Sequence, residues 1–211
     1  MKASYVGSAM AGKKLPAFIF VTDGARQPDP VPVLRTLPRG WGVLFRHYDH
    51  PLREALGRRV ARLCKERGLR LLVAGDVRLA ARLKADGLHL PEGLARRGIL
   101  SPALLWRQQG RALSIAAHSP GAVRRAKALR ADLVVLSPVF PTVSHPNARP
   151  LGPLGFLRLK ALSPIPVAAL GGMRPATARR LRDCGAFTLA LVDGVFLFLK
   201  GAPRLSCGRN P

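Results

Sequence analysis

The chain has 211 residues, of which 35 are Lys or Arg and 11 are Asp or Glu, so its formal net charge is +24 at pH 7. Hydrophobic residues make up 48% of it, which excludes a disordered basic tail because such a tail lacks the apolar area needed to offset the entropy of ordering. The sequence contains neither the ~18 consecutive apolar residues of a transmembrane helix nor, at its N-terminus, the apolar segment of a secretory signal peptide.

Eight short apolar runs recur along the chain and predict eight β-strands. They are bounded by Gly, Pro, Asp or Ser, and they are unbroken rather than alternating, which is typical of strands buried on both faces. The runs are Ala17–Thr22, Trp41–Arg46, Leu69–Ala74, Gly87–Leu90, Leu113–Ala117, Asp132–Leu136, Pro166–Leu170 and Phe187–Val192.

The segments between these runs predict helices. Leu52–Arg67 carries apolar residues at helical spacing, and Ser119, followed by a proline, predicts an N-cap. Thr177–Cys184 predicts a short helix that ends at Gly185. The proline-rich segment Gln27–Arg39 shows the least helical pattern.

Strands that alternate with helices predict a parallel sheet. Eight units of ~23 residues are compact for a (β/α)₈ TIM barrel, which usually has about 250 residues, but they are sufficient for one. The alternative is an open, doubly wound sheet, which would carry a GxGxxG turn after its first strand; Thr22–Ala25 is not such a turn. We therefore expect a single α/β barrel over residues 17–200, with tails at 1–16 and 201–211.

The five histidines all follow or end predicted strands, and none falls on a predicted helix. They are His47, His50, His89, His118 and His145. In a (β/α)₈ barrel the chemistry lies at the carboxyl ends of the strands, so this distribution indicates a site, although polar loops and a structural role for His89 explain it as well. No HxH or HExxH spacing occurs, and the pattern predicts no histidine metal site.

Two later segments have the composition of an anion site. The long loop Ser137–Gly152 is rich in hydroxyl groups, including Thr142 and Ser144, and also carries His145. After the seventh run, Gly171-Gly172 lets the backbone approach an anion closely, and the loops after strands seven and eight are the usual phosphate site of this architecture. These segments predict that a phosphate or pyrophosphate binds here.

Six segments, in order, resemble motifs of the thiamine phosphate synthase/TenI family of small barrels. They are Phe18–Asp23, Ala85–Leu90, Ala117–Ser119, Leu136–Thr142, Pro150–Gly152 and Ala169–Met173. The resemblance extends from about Phe18 to Phe196 and implies a thiamine-biosynthesis enzyme on a TIM barrel. It also implies that a thiazole phosphate binds at Gly171, Gly172 and the loop from Thr142 to His145, with His89 as a further contact.

The resemblance is incomplete where the family's synthases hold Mg²⁺ and pyrophosphate. Their carboxylate positions after strands three and four correspond to Ala74-Gly75 and Pro91–Leu94, and the displaced Asp76 and Glu92 are the remaining candidate ligands. Arg46 matches one residue of the pyrophosphate clamp, whose other two positions differ.

A serine that contacts phosphate in the family is Asp193 here. The TenI branch lacks much of the same apparatus and catalyses a metal-independent tautomerisation through the histidine of the strand-five motif. The resemblance thus implies that His118 is the catalytic acid/base and that no cofactor is needed.

Two other functions stay open at this point. One is a magnesium-dependent synthase that joins hydroxymethylpyrimidine pyrophosphate to thiazole phosphate. The other is a non-catalytic barrel that binds nucleic acid or another polyanion, since a base excess suits such partners, but no recognition motif or aromatic stacking pattern accompanies it. We expect a small anionic phosphate substrate and no membrane or nucleic-acid partner, and leave homo-oligomerisation open. Three widely spaced cysteines suit a reducing cytoplasm.

Overall fold

The computed structural model describes residues 15–96, 105–144 and 146–201. Eight parallel strands close into a barrel in chain order, with β8 hydrogen-bonded to β1. They are β1 (Phe18–Val21), β2 (Gly42–Phe45), β3 (Arg70–Ala74), β4 (Gly87–Leu90), β5 (Ala112–Ala117), β6 (Leu133–Leu136), β7 (Val167–Leu170) and β8 (Thr188–Leu191). The predicted (β/α)₈ barrel is confirmed, and ring closure excludes the open sheet.

Helices connect the strands on the outside of the barrel. They are α1 (Val31–Leu34), α2 (Arg53–Arg67), α3 (Val77–Arg82), α4 (Glu92–Arg96), α5 (105–108), α6 (Pro120–Ala128), α7 (Gly152–Ala161), α8 (Pro175–Arg179), the 3₁₀ turn Arg182–Cys184 and α9 (Val195–Gly201). Within the described ranges, no helix is long and apolar enough to cross a membrane.

The strands are apolar on both faces because each face has its own core. On β1, Ile19 and Val21 point into the barrel, where they join Leu72 and other residues of the interior cluster. Phe20, between them in sequence, belongs instead to the larger cluster between the strands and the helices. Successive side chains of a strand point to opposite faces, so both faces need apolar residues and the run is unbroken.

The basic residues of α2 lie on its outer face. Leu56, Val60 and Cys64 are buried against the barrel, whereas Arg58 and Arg62 are exposed to solvent. This helix ends at Gly68, whose φ of +64° is the left-handed conformation of a helix C-cap.

Two helix predictions are confirmed and two need correction. Ser119 caps α6 by accepting a hydrogen bond from Ala122 N at 3.3 Å, and α2 starts within one residue of its predicted position. The helix predicted over Thr177–Cys184 is not continuous, because the backbone leaves helical geometry at Leu181 (φ −104°, ψ 5°) and separates α8 from the 3₁₀ turn; its predicted end at Gly185, with φ of +64°, is confirmed. The segment Gln27–Arg39 forms only the single turn of α1, which its prolines limit.

The predicted tails at 1–16 and 201–211 lie almost wholly outside the described residues. The limits of the barrel at 17 and 200 therefore stay a prediction. The described elements, from β1 to α9, fall within one residue of those limits.

Candidate functional site

A cavity of about 290 Å³ opens at the carboxyl ends of the strands. Most of the predicted contact residues line it: Arg46, His89, His118, Thr142, Ser144, Gly171 and Gly172. His145 lies outside the described residues. These residues lie together because all strands of a parallel barrel have their carboxyl ends at the same rim.

His118 follows β5 and is exposed to the cavity. Its Nδ1 lies 2.5 Å from the carbonyl oxygen of Ser137, the residue after β6. A carbonyl oxygen has no hydrogen to give, so Nδ1 carries a proton and donates; in the neutral imidazole Nε2 is then the nitrogen with the lone pair. The backbone N–H of His118 donates to Glu92 Oε2 at 3.0 Å, which holds this turn of the chain in place.

His89, on β4, has a different environment from His118. It is only 5% exposed, and its Nδ1 lies 2.9 Å from the hydroxyl of Ser114 on β5. Burial lowers the pKa of His89 to about 3, and the charges of Arg46 and His118 act in the same direction. His89 is therefore neutral near pH 7 and presents an uncharged hydrogen-bonding group to the cavity.

The loop after β7 passes very close to the loop after β6. A Cβ on Gly172 would lie 2.5 Å from the carbonyl oxygen of Pro141, and one on Gly171 would lie 2.9 Å from Cα of Pro138. Both glycines have positive φ, +96° at Gly171 and +63° at Gly172. These positions require glycine for packing as well as for conformation, so the glycine pair shapes the cavity wall whether or not it contacts an anion.

Arg26, in the loop after β1, joins two other loops at the cavity mouth. Its Nη1 is 2.5 Å from a carboxylate oxygen of Asp193, after β8, and its Nη2 donates to Ser144 Oγ at 2.7 Å. The Arg26 side chain is 20% exposed and the Asp193 side chain 58%. Arg46 and Arg174 also line the cavity, so its charge is mainly positive.

Asp76 does not line the cavity. Its carboxylate caps α3 by accepting from Leu79 N at 2.8 Å, and it pairs with Arg53 at 3.6 Å. Arg53 also donates to the carbonyl oxygen of Ala74 at 2.7 Å, and its guanidinium lies 5.5 Å from the ring centre of Tyr48. The guanidinium of Arg53 therefore already binds the carbonyl oxygen of Ala74 and the carboxylate of Asp76 at the end of β3.

Glu92 lines the cavity but has both oxygens engaged. One accepts from the backbone of His118, and the other pairs with Arg96 on the next turn of α4. In the part of the chain that the structure describes, no group of three or more His, Cys, Asp or Glu could hold a metal ion. The donor set does not fit Mg²⁺, which prefers carboxylate oxygens that are open to it.

Sequence reasoning did not single out Arg26 or Arg174 as parts of the cavity, whereas Ser137 belongs to the loop that was predicted to bind phosphate. Arg26 and Arg174 each lie in a segment that follows a strand, so the rule that the site lies at the carboxyl ends was a signal for both. His47, although it follows β2, is bonded to Thr22 Oγ1 at 2.9 Å and to the carbonyl oxygen of Gln27 at 3.0 Å, outside the cavity lining.

Comparison with known proteins finds one family along most of the chain. Residues 21–195 match the family described as "Thiamine monophosphate synthase" (TMP-TENI). The thiamine-phosphate synthase of Bordetella pertussis is 35% identical over 157 residues, which are 70% of this chain and 70% of the relative. That of Bacillus velezensis is 24% identical over 200 residues, 90% of this chain and 87% of the relative.

Other similar proteins differ in length or share the fold alone. A bifunctional thiamine biosynthesis protein of Geobacter sulfurreducens is 28% identical over 71% of this chain, but the chain spans only 30% of that protein. The solved thiamine phosphate pyrophosphorylase of Pyrococcus furiosus superimposes with a TM-score of 0.64 at 21% identity, covering 83% of this chain and 84% of that one. From the match over residues 21–195 and the Bordetella relative, the chain belongs to the thiamine monophosphate synthase family.

Proposed function

We propose that this barrel binds a thiazole phosphate and moves protons on its ring, a tautomerisation that uses His118 as acid/base and no bound metal. The observation that carries the proposal is the hydrogen bond from His118 Nδ1 to the Ser137 carbonyl oxygen at 2.5 Å. It fixes the tautomer and leaves Nε2 as the basic nitrogen of a residue that is exposed to the cavity.

The chemistry needs one group that both accepts and donates a proton. Nε2 of His118 would take a proton from a carbon of the thiazole, and the C–H bond electrons would shift into the ring system. The imidazolium would then return the proton to a second carbon that is conjugated with the ring, so atoms and charge balance. Imidazole suits both steps near neutral pH.

The rest of the cavity suits a phosphate group. Arg26, Arg46 and Arg174 supply positive charge, and the hydroxyls of Thr142 and Ser144 supply hydrogen-bond donors. The loops after β7 and β8 contribute to the same wall, as in the phosphate sites of many barrels.

The existing hydrogen bonds and ion pairs of the two candidate carboxylates support a metal-independent reaction. Asp76 caps a helix outside the cavity, and Glu92 is occupied by Arg96 and the His118 backbone. If Mg²⁺ bound here, it would have to displace these partners first.

A rate assay on thiazole tautomers tests the proposal. The wild-type protein should catalyse the interconversion equally well with EDTA and with added Mg²⁺, and His118→Ala should lose at least ~100-fold, the typical contribution of a general acid/base. His50→Ala is the control, because His50 lies outside this cavity. Full activity of His118→Ala would contradict the mechanism.

A second candidate is the synthase reaction itself, which the names of the Bordetella and Bacillus relatives favour. Arg46 would then contact the pyrophosphate of the pyrimidine substrate. The test is formation of thiamine phosphate from both substrates over a range of Mg²⁺ concentrations. A complete lack of product at every concentration would eliminate this candidate, and Mg²⁺-dependent product would replace the tautomerase proposal.

A further inference from the structure

Arg26 is the point at which three loops of the rim meet. Its guanidinium contacts Asp193 and Ser144, which lie 167 and 118 residues away in sequence. Each of the three residues lines the cavity. The Arg26 cation therefore has a fixed position in the wall of the cavity, unlike the exposed arginines on the outer face of α2.

Asp193 occupies the place on Arg26 that an anionic ligand would take. The bond of 2.5 Å between Arg26 Nη1 and the carboxylate is a charge-assisted contact of the kind that a phosphate oxygen also makes. A carboxylate on this wall opposes a phosphate in two ways. It neutralises the arginine, and it repels the dianion directly.

The backbone beside Asp193 has little freedom to move. A Cβ on Gly194 would lie 2.0 Å from the carbonyl oxygen of Met173, so the loop after β8 is pressed against the loop after β7. The Asp193 side chain, in contrast, is 58% exposed and can rotate into water. Release of Arg26 thus requires a side-chain rotation and no loop movement.

Ser144 would stay with Arg26 after that exchange. Its oxygen accepts from Arg26 Nη2 at 2.7 Å, which leaves its own O–H able to donate to a second oxygen of the ligand. Arg26 and Ser144 together then present a cation and a hydroxyl to one phosphate.

We infer that Arg26 is the cation that binds the substrate's phosphate and that Asp193 is an internal competitor for it, so the affinity for phosphate is set by an exchange between the two anions. This inference rests on the proposed function, because it assumes that the ligand carries a phosphate. It adds that Arg26 binds this phosphate and that Asp193 weakens the binding.

Calorimetric titration with inorganic phosphate and with thiazole phosphate tests the exchange. Asp193→Asn should bind both ligands about tenfold more tightly than the wild-type protein, because one negative charge near a dianion is removed. Arg26→Gln should bind at least about tenfold more weakly, because the charge-assisted bond is lost. Asp183→Asn makes the same charge change at an exposed residue of the 3₁₀ turn, outside the cavity, and should stay within about twofold of wild type.

Unchanged or weaker phosphate binding by Asp193→Asn would overturn the competition, whatever the wild-type affinity. Equal gains in Asp193→Asn and Asp183→Asn would also overturn it, since they would reflect net charge alone. If the variants follow the expected order but no tautomerisation is found, the proposed function fails and the exchange stands. If neither ligand binds any variant, both fail.

Discussion

His89 on β4 and Ser114 on β5 are paired in register across neighbouring strands, and their side chains share a hydrogen bond of 2.9 Å inside the barrel. Because burial lowers the pKa of His89 to about 3, the histidine stays neutral in the folded protein. In the unfolded chain it has the ordinary pKa of a histidine, about 6.5.

This difference predicts that acid weakens the fold. Between pH 6.5 and 3 the unfolded chain binds a proton at residue 89 that the folded chain does not, so the free energy of unfolding should fall as the pH falls. The slope from this residue is at most about 1.4 kcal/mol per pH unit, and burial lowers the pKa of His47 as well, which adds in the same direction. Urea unfolding at several pH values measures it.

His89→Gln should have a smaller slope than the wild-type protein below pH 6.5. The two stability curves should run parallel above pH 6.5, where the histidine is neutral in both states, and this region is the internal control. Equal slopes below pH 6.5 would show that His89 is not held neutral by the fold.

Gly172 and Gly152 are a matched pair that separates the energetic cost of a left-handed backbone from the cost of a steric clash. Both have φ of +63°, but a Cβ would meet the Pro141 oxygen at 2.5 Å on Gly172 and nothing within 4 Å on Gly152. Gly152→Ala should cost about 1–2 kcal/mol, the price of a left-handed alanine. Gly172→Ala should cost more by urea unfolding, because the loops after β6 and β7 must separate; equal costs would contradict the close contact.

Asp76 is expected to act as a helix cap and not as a metal ligand. Asp76→Ala should destabilise the protein by about 0.5–2 kcal/mol, like other lost N-caps. Ser119→Ala, which removes the cap of α6, is the matched control and should cost a similar amount. Loss of a Mg²⁺-dependent activity in Asp76→Ala at unchanged stability would show instead that this carboxylate serves a metal.

Cys64 is expected to be unreactive in the folded protein. It is buried on α2, and burial raises the pKa of its thiol to about 12. Almost no thiolate, the reactive form, is then present at pH 8. Mass spectrometry after treatment with iodoacetamide should find Cys64 unmodified in native protein and modified in denaturant, and rapid native labelling would contradict its burial.

The barrel could be predicted from the sequence because its cause is local. Each buried strand needs an unbroken apolar run, and many turns carry a Gly, Pro or capping residue, as at Ser119 and Gly68. The predicted strand limits therefore lie within one residue of the observed ones. The single helix predicted over Thr177–Cys184 failed because nothing in the pattern marks the change of backbone at Leu181.

The candidate site could be predicted in part. Residues that directly follow strands, such as His118, Gly171 and Gly172, could be placed at one rim by topology alone. Which atoms meet there could not be predicted, since the bond between Arg26 and Asp193 joins the first and last βα loops.

The sequence by itself thus determined the architecture, the family and the rim on which the polar groups gather, since all three follow from local patterns in order along the chain. Only the tertiary structure decided the charge and the hydrogen-bond partners of each polar side chain. Closure of the barrel buries His89 against Ser114, gives His118 a carbonyl partner and places Asp193 on Arg26. Charge and hydrogen-bonding state depend on neighbours that are distant in sequence, and no local pattern encodes those neighbours.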